Sequence, residues 1–336
     1  MAPLNDRGAL LAAWKGMTQG GPGDGWQTIL LGTAGGAEVR AAKLYPEGAE
    51  AFLIGFSGAP VPADASLPQA KGFRTSRVKL QGSPETWVAV TRQPAGSIEL
   101  FASMTTDVLD VVQAQGGAAP AAVLRQAIAR IAAWQRFMER GSGLLTLEEE
   151  LGLHGELVVL GGLLEGEADK AAIVEAWLGP LGGLHDFRFG PGALEVKSTL
   201  SGPGFPASIS NLEQLDTSVV SPLFIAAIRH IESPGGMTLG DLSLDLLDRM
   251  ARDPAAKAAL KDRLLAAGLP EADFGRYTRR LTPVGTRVHL VDDGFPRLVR
   301  GNMPPAIVNA RYVLDLDLIP ATALSLPQVR DLLRNS

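Results

Sequence analysis

The chain has 336 residues, 46% of them hydrophobic and 20% charged, with a formal net charge of −5 and a pI near 5.5. That length allows two or three domains with sizeable cores, and the composition is that of a folded globular protein. Cysteine is absent, which excludes disulfides and thiolate metal sites, and four scattered histidines offer little to a zinc centre. The acidic balance disfavours nucleic-acid binding by the molecule as a whole, so such contacts have to come from local basic groups. No apolar run is long enough to span a membrane, and residues 1–19 lack a basic n-region and a long apolar stretch. A cytoplasmic protein without a membrane partner is therefore expected.

Residues 7–17 predict a helix capped by Asn5, and residues 20–25 a glycine-rich loop. Short runs with β character then follow at 27–32, 38–43, 51–55, 77–80, 86–91 and 98–101, separated by Gly/Pro turns. They predict a mostly antiparallel β domain over about 25–105, with Trp26, Tyr45, Phe52, Phe56, Phe73 and Trp87 in its core. Residues 104–115 and 120–139 read as helices; the second places Val123, Ala127, Ile131, Trp134 and Met138 at helical spacing. Residues 1–140 thus form an N-terminal β-rich domain with closing helices, and Gly141-Ser142-Gly143 a hinge.

The next stretch carries the chemistry. Thr146 and Glu149 have the spacing of a capping box and open a helix that runs through an apolar segment. Glu156 lies inside that segment, and a buried carboxylate needs a cation or a hydrogen-bonding partner. A short helix over 170–178 follows. Residues 185–189 and 193–199 flank Gly190-Pro191-Gly192 and predict a β-hairpin. Alternation puts Glu195 and Lys197 on one face, and Leu194 and Val196 on the other. A Gly190-Pro191 loop sets Asp186 opposite Glu195, and a Pro191-Gly192 loop sets it opposite Lys197. Either register brings Asp186 onto the charged face, with opposing Cβ atoms roughly 5 Å apart. Two carboxylates beside an ammonium suit a hard cation such as Mg²⁺, with Mn²⁺ as a substitute, and in-line attack at phosphorus. A solvated hairpin with a surface ion pair fits the same spacing. His185 alternates to the opposite face and reads as structural; Gln214 is a candidate for orienting the site or a substrate.

Beyond the hairpin, residues 207–212 predict a third strand and residues 221–231 a covering helix, closing a core over 144–235. Residues 236–270 read as helices broken at Asp253-Pro254, and residues 277–281, 286–291 and 310–316 as strands. Residues 276–311 hold seven arginines against Asp292 and Asp293, a local balance of +5. Arg276, Arg279, Arg280, Arg287, Arg297 and Arg300 are the candidate phosphate contacts. Helices followed by a basic β-ribbon suggest a winged-helix-like nucleic-acid or partner-binding module over 236–336.

The pattern Asp186-x(8)-Glu195-x-Lys197 resembles that of the PD-(D/E)XK nucleases, with His185 standing where a proline is usual. The ordered set of Gly152-Leu153-His154-Gly155-Glu156-Leu157, Trp177-Leu178-Gly179-Pro180, Glu195-Val196-Lys197, Ile209 to Leu215 and Asp293 to Leu298 is similar to the DUF4420 family of nuclease-like proteins. This resemblance implies an α/β (α+β) fold whose restriction-endonuclease-like core is a mixed central sheet flanked by helices. It assigns Asp186, Glu195 and Glu156 to the metal and Lys197 to the attacking water or the developing charge. It further implies a Mg²⁺-dependent endodeoxyribonuclease of bacterial anti-phage or restriction-modification-like loci, with methyltransferase and helicase or ATPase partners. A double-strand cut would require two such sites, from a homodimer or a partner. The other reading is a non-catalytic scaffold or DNA-binding subunit of a multi-protein defence complex.

Overall fold

The computed structural model describes residues 6–17, 24–34, 36–139, 141 and 143–335. The chain forms two compact units, Met1–Gly143 and Leu144–Ser336.

In the first unit, helix α1 (Arg7–Gly16) begins at Asp6, whose carboxylate accepts the Ala9 N–H. The expected cap, Asn5, lies outside the described residues, as do 20–23 of the expected loop and Ser142 of the expected hinge. Strands β1 (Gly25–Ala34), β2 (Ala37–Tyr45), β3 (Ala49–Phe56), β4 (Gln69–Ala70), β5 (Phe73–Val78) and β6 (Thr86–Arg92) make one antiparallel sheet in the order β1-β2-β3-β6-β5-β4. Phe52, Phe56, Phe73 and Trp87 are buried in it, whereas Trp26 and Tyr45 stay partly exposed. The run 98–101, expected as a strand, is the first turn of helix α2 (Ile98–Ala114). Four residues do not resolve a period, and the Ser97 hydroxyl, which accepts the Leu100 N–H, settles it as a helix start. Helix α3 (Pro120–Glu139) follows with the expected bounds.

The second unit contains α4 (Leu147–Leu163), α5 (Lys170–Glu175), β7 (Phe187–Phe189), β8 (Gly192–Thr199), β9 (Pro206–Ile209), β10 (Leu223–Met237), α6 (Leu239–Arg249), α7 (Pro254–Ala266), β11 (Leu281–Leu290), β12 (Tyr312–Asp315) and α8 (Leu326–Arg334). Its central sheet has the order β11-β10-β8-β7 and is mixed: β10 runs parallel to β8, while β7 and β11 are antiparallel to their neighbours. One face carries Phe187, Leu194, Val196, Ala226, Ile228 and Val288, which pack on Leu153, Leu157 and Leu160 of α4. The other carries Ala193, Leu223, Ile225 and Ala227, which pack on Phe205, Ala207, Ile209 and Leu316. The small antiparallel sheet of β9 and β12 thus lies on the second face.

Several expectations change here. Residues 221–231, expected as a covering helix, fall from Leu223 onward in β10, an inner strand of the sheet. A continuous apolar run suits a strand buried on both faces as well as a buried helix, and the parallel neighbour β8 explains why both faces are apolar. The strand expected over 207–212 exists as β9, in the separate sheet. The strands expected over 277–281 and 286–291 are replaced by the single β11, and Tyr277 ends a 3₁₀ turn, Glu271–Arg276. Because β11 is hydrogen-bonded to β10 in the central sheet, it does not form a separate basic ribbon, and the winged-helix reading falls. The expected boundary between 235 and 236 lies inside β10. Leu246, Leu260, Val329 and Leu333 share one core with Leu157 and Leu194, so 236–336 completes the unit begun at Leu144. Among the described residues, no helix is long and apolar enough to cross a membrane.

Candidate active site

Helix α4 brings Glu156 to the sheet. Thr146 and Glu149 form the expected reciprocal cap, which fixes where the helix starts. Gly155 lets it approach closely: a Cβ there would stand 1.9 Å from Ser198 Oγ on β8. Leu153 and Leu157 bury their side chains in the core, and the Glu156 carboxylate reaches Trp177, whose Nε1–H donates to Oε2 at 2.7 Å. Trp177 is fully buried and stacks on Phe187 at 6.3 Å.

The hairpin takes the first of the two registers. Phe187 pairs with Leu194, Arg188 with Ala193 and Phe189 with Gly192. The loop is Gly190-Pro191, and one step further Asp186 stands opposite Glu195. Strand β7 is only three residues long, so the edge of β8 is open from Glu195 onward. Asp186 fills that edge: its Oδ2 accepts the Val196 N–H at 2.7 Å. Its carbonyl accepts the N–H groups of Leu178 and Gly179 at 2.7 and 3.0 Å, which ties the Trp177 segment to the hairpin. A Cβ on Gly179 would stand 2.6 Å from Glu156 Oε2 and 2.9 Å from Asp186 Oδ1. The glycine therefore leaves the space in which the two carboxylates meet.

Glu195 faces away from the α4 core, as alternation requires. Its Oε1 accepts Lys197 Nζ at 2.8 Å and Gln214 Nε2 at 2.6 Å. Its Oε2 is buried and makes no hydrogen bond among the described residues. Gln214 is 6% exposed, so the surface position that the sequence favoured for it does not hold. Asn211 shapes its turn by accepting the N–H groups of Glu213 and Gln214 at 3.1 and 2.9 Å. His185 is also buried, and its Nε2–H donates to the Gln214 carbonyl at 2.9 Å. The structure thus brings Glu156, Asp186, Glu195, Lys197 and Gln214 together. It adds Trp177, Gly179 and the anchoring part of His185; the Trp-Leu-Gly-Pro run next to the motif aspartate was the signal for the first two.

The electrostatics are those of crowded negative charge. Burial pushes Glu156 up to about 7, and Glu195 adds to the rise, while the Trp177 hydrogen bond and Lys197 oppose it. Asp186 is raised well above the usual carboxylate range, first by burial and then by Glu195 and Glu156, against the Val196 N–H and Lys197. Both residues keep some exposed surface while their carboxyl groups lie among protein atoms. Among the described residues, no three His, Asp or Glu side chains are drawn together as a ready metal-binding group. The donor set still fits a hard cation: it offers carboxylate oxygens in excess of positive charge and one orphaned oxygen, Glu195 Oε2. Ligation by all three carboxylates requires exchange of part of the hydrogen bonds they now make to protein donors.

Behind the site lies a buried pair, His154 and His230, joined Nδ1 to Nε2 at 3.1 Å. Burial lowers both to about 4, so both are neutral near pH 7. The six candidate arginines are dispersed, and each meets an acidic partner. Arg276 pairs with Asp273 at 2.9 Å, Arg279 with Glu232 at 2.7 Å, Arg280 with Asp241 at 3.4 Å, and Arg297 with Asp293 at 3.2 Å. Arg300 pairs with Glu213 at 2.6 Å, and Arg287 with Asp317.

The second unit is thus a mixed α/β unit in which Asp186 and Glu156 face each other across Gly179, and Glu195 pairs with Lys197 on the neighbouring strand β8. The family model described as "Putative PD-(D/E)XK family member" (DUF4420) matches residues 10–317, and the chain belongs to that family. The same comparisons return no match among curated proteins or solved structures.

Proposed function

We propose that this protein is a metal-dependent nuclease that hydrolyses phosphodiester bonds in DNA, with α4, β7, β8, β10, α6 and β11 as its PD-(D/E)XK core. The observation that carries the reading is the crowding of Asp186 by the charges of Glu195 and Glu156, with Lys197 on Glu195 and Glu195 Oε2 buried without a hydrogen bond among the described residues. Asp186, Glu195 and Glu156 would hold Mg²⁺, or Mn²⁺ in its place. A bound ion would supply Lewis-acid polarisation of the phosphoryl group and a water of lowered pKa. Lys197 stands at the same carboxylate and can orient the attacking water or meet charge developing on phosphate oxygens. Trp177 holds the Glu156 carboxylate in place, and Gly179 keeps the space between Glu156 and Asp186 open.

The test is cleavage of plasmid, linear and single-stranded DNA with Mg²⁺ or Mn²⁺, wild type beside Lys197→Ala and Asp186→Asn. Metal-dependent cutting lost in both folded variants supports the assignment; variants that cut as well as wild type overturn it.

A second reading has its own support. The candidate phosphate-binding arginines are each paired with an acid, which favours a nuclease-like scaffold or DNA-binding subunit whose DNA affinity comes from partners. Methyltransferase and helicase or ATPase subunits of a bacterial defence system are the proposed partners, in a cytoplasmic complex. Calorimetric titration with Mn²⁺ separates the readings: binding lost on Asp186→Asn supports the nuclease, and no binding by wild type supports the scaffold.

A further inference from the structure

Glu195 is held asymmetrically. Lys197 Nζ and Gln214 Nε2 both donate to Oε1, and Oε2 is enclosed without a hydrogen-bond partner among the described residues. The Gln214 amide is not free to turn away, because its own Oε1 accepts the Ser210 N–H at 2.8 Å. Its backbone is fixed on either side, the N–H by Asn211 Oδ1 at 2.9 Å and the carbonyl by His185 Nε2–H at 2.9 Å. His185 and Glu195 are each 4% exposed and Gln214 6%, so these bonds are shielded from water. His185 directly precedes Asp186. One imidazole therefore links the segment bearing Asp186 to the turn that restrains Glu195.

We propose that His185 and Gln214 form a brace that limits Glu195 to one-oxygen ligation and so selects Mg²⁺ or Mn²⁺ over Ca²⁺. The proposal rests on the nuclease reading above. Ca²⁺ takes about six to eight oxygens and accepts carboxylates through one or both oxygens, whereas Mg²⁺ demands near-octahedral geometry at roughly 2.0–2.1 Å. Oε1 already accepts from both Lys197 Nζ and Gln214 Nε2, so two-oxygen ligation by Glu195 would require one of these donors to leave, and the Gln214 amide is anchored at its other end by Ser210. One-oxygen ligation through Oε2 leaves the brace intact. The brace thus handicaps the larger ion and not the smaller one. His185 and Gln214 are positioning residues in this scheme; neither touches the cation.

The test is calorimetric titration of the full chain with MgCl₂, MnCl₂ and CaCl₂ in the absence of nucleic acid, for wild type, Gln214→Ala and His185→Ala. Asp186→Asn sets the baseline for cations bound elsewhere, and thermal melts verify folding. Removing partners that orient metal ligands commonly changes metal affinity by about 10–100-fold. The expected result is a fall of about tenfold in the ratio of Ca²⁺ to Mg²⁺ dissociation constants in both variants. An unchanged ratio, with both ions weakened equally, overturns the brace, including when the wild type binds Mg²⁺ and cuts DNA. A wild type that binds no cation overturns the brace together with the nuclease reading. Should His185→Ala not fold, Gln214→Ala, which leaves the His185 bond to the backbone carbonyl available, decides alone.

Discussion

Replacing Glu156 by glutamine should stabilise the unit Leu144–Ser336, and by an amount that grows with pH. The glutamic acid is shifted from 4.5 to about 7 in the fold. A carboxyl group with a raised folded pKa binds its proton more tightly in the native state. It therefore favours folding below pH 4.5, and that contribution is lost as pH rises towards 7. At about 1.4 kcal/mol per pKa unit, the penalty borne by ionised Glu156 reaches about 3 kcal/mol by pH 8. Glutamine cannot ionise, and its carbonyl still accepts from Trp177 Nε1, so the substitution removes the penalty and keeps the hydrogen bond. His154 and His230 pull the other way, since their depressed values make the wild type more stable as pH rises from about 4 to 6.5. The raw pH profile of either protein therefore mixes two opposed trends. The difference between variant and wild type cancels the histidines and leaves Glu156 together with the part of the Asp186 rise that Glu156 causes. Urea unfolding at pH 4, 5, 6, 7 and 8 in EDTA, followed by amide-exchange protection of β8, reads this unit separately from the first. The gap should be small at pH 4 and widen by about 3 kcal/mol by pH 8. A gap that stays flat, or that narrows with pH, refutes the placement of Glu156 as a buried, charge-crowded carboxyl.

Three further outcomes follow from the same geometry. Cation affinity should rise with pH through about 7, because ligation needs Glu156 ionised; titrations with Mn²⁺ at pH 6 and 8 will show weaker binding at the lower pH, with proton release measurable from the buffer dependence of the heat. Gly155→Ala should destabilise by about 1–3 kcal/mol, because the added methyl meets Ser198 Oγ on β8 and pushes α4 outward; a melt within error of wild type would contradict the packing. His230→Asn should reduce the loss of stability between pH 6.5 and 4, since a histidine buried neutral must take up a proton as the chain unfolds; equal acid sensitivity in wild type and variant would count against it.

How far the sequence reaches depends on how local each determinant is. The cap at Thr146, the α3 bounds and the alternation of Leu194, Glu195, Val196 and Lys197 are set by neighbours within a few residues, and all are legible in advance. So is the convergence on Asp186, because both allowed loops put it on the same face; only the choice of Gly190-Pro191 needed the structure. The failures occur where a distant partner decides. The run from Leu223 to Ile228 is apolar at every position, and periodicity cannot tell a strand enclosed by β8 and β11 from a buried helix. The arginine-rich segment carries a local charge of +5 in the sequence, yet its neutralising partners, Glu213, Glu232, Asp241, Asp273 and Asp317, mostly lie far from it along the chain. Gln214 shows the same effect within the site. Nothing in Asn211-Leu212-Glu213-Gln214 distinguishes a solvated turn from one folded back onto Glu195, and His185, 29 residues earlier, makes the bond that holds the turn there. Side chains that bear charge were thus predictable from spacing, whereas the groups that orient them became visible only once the strands were assembled.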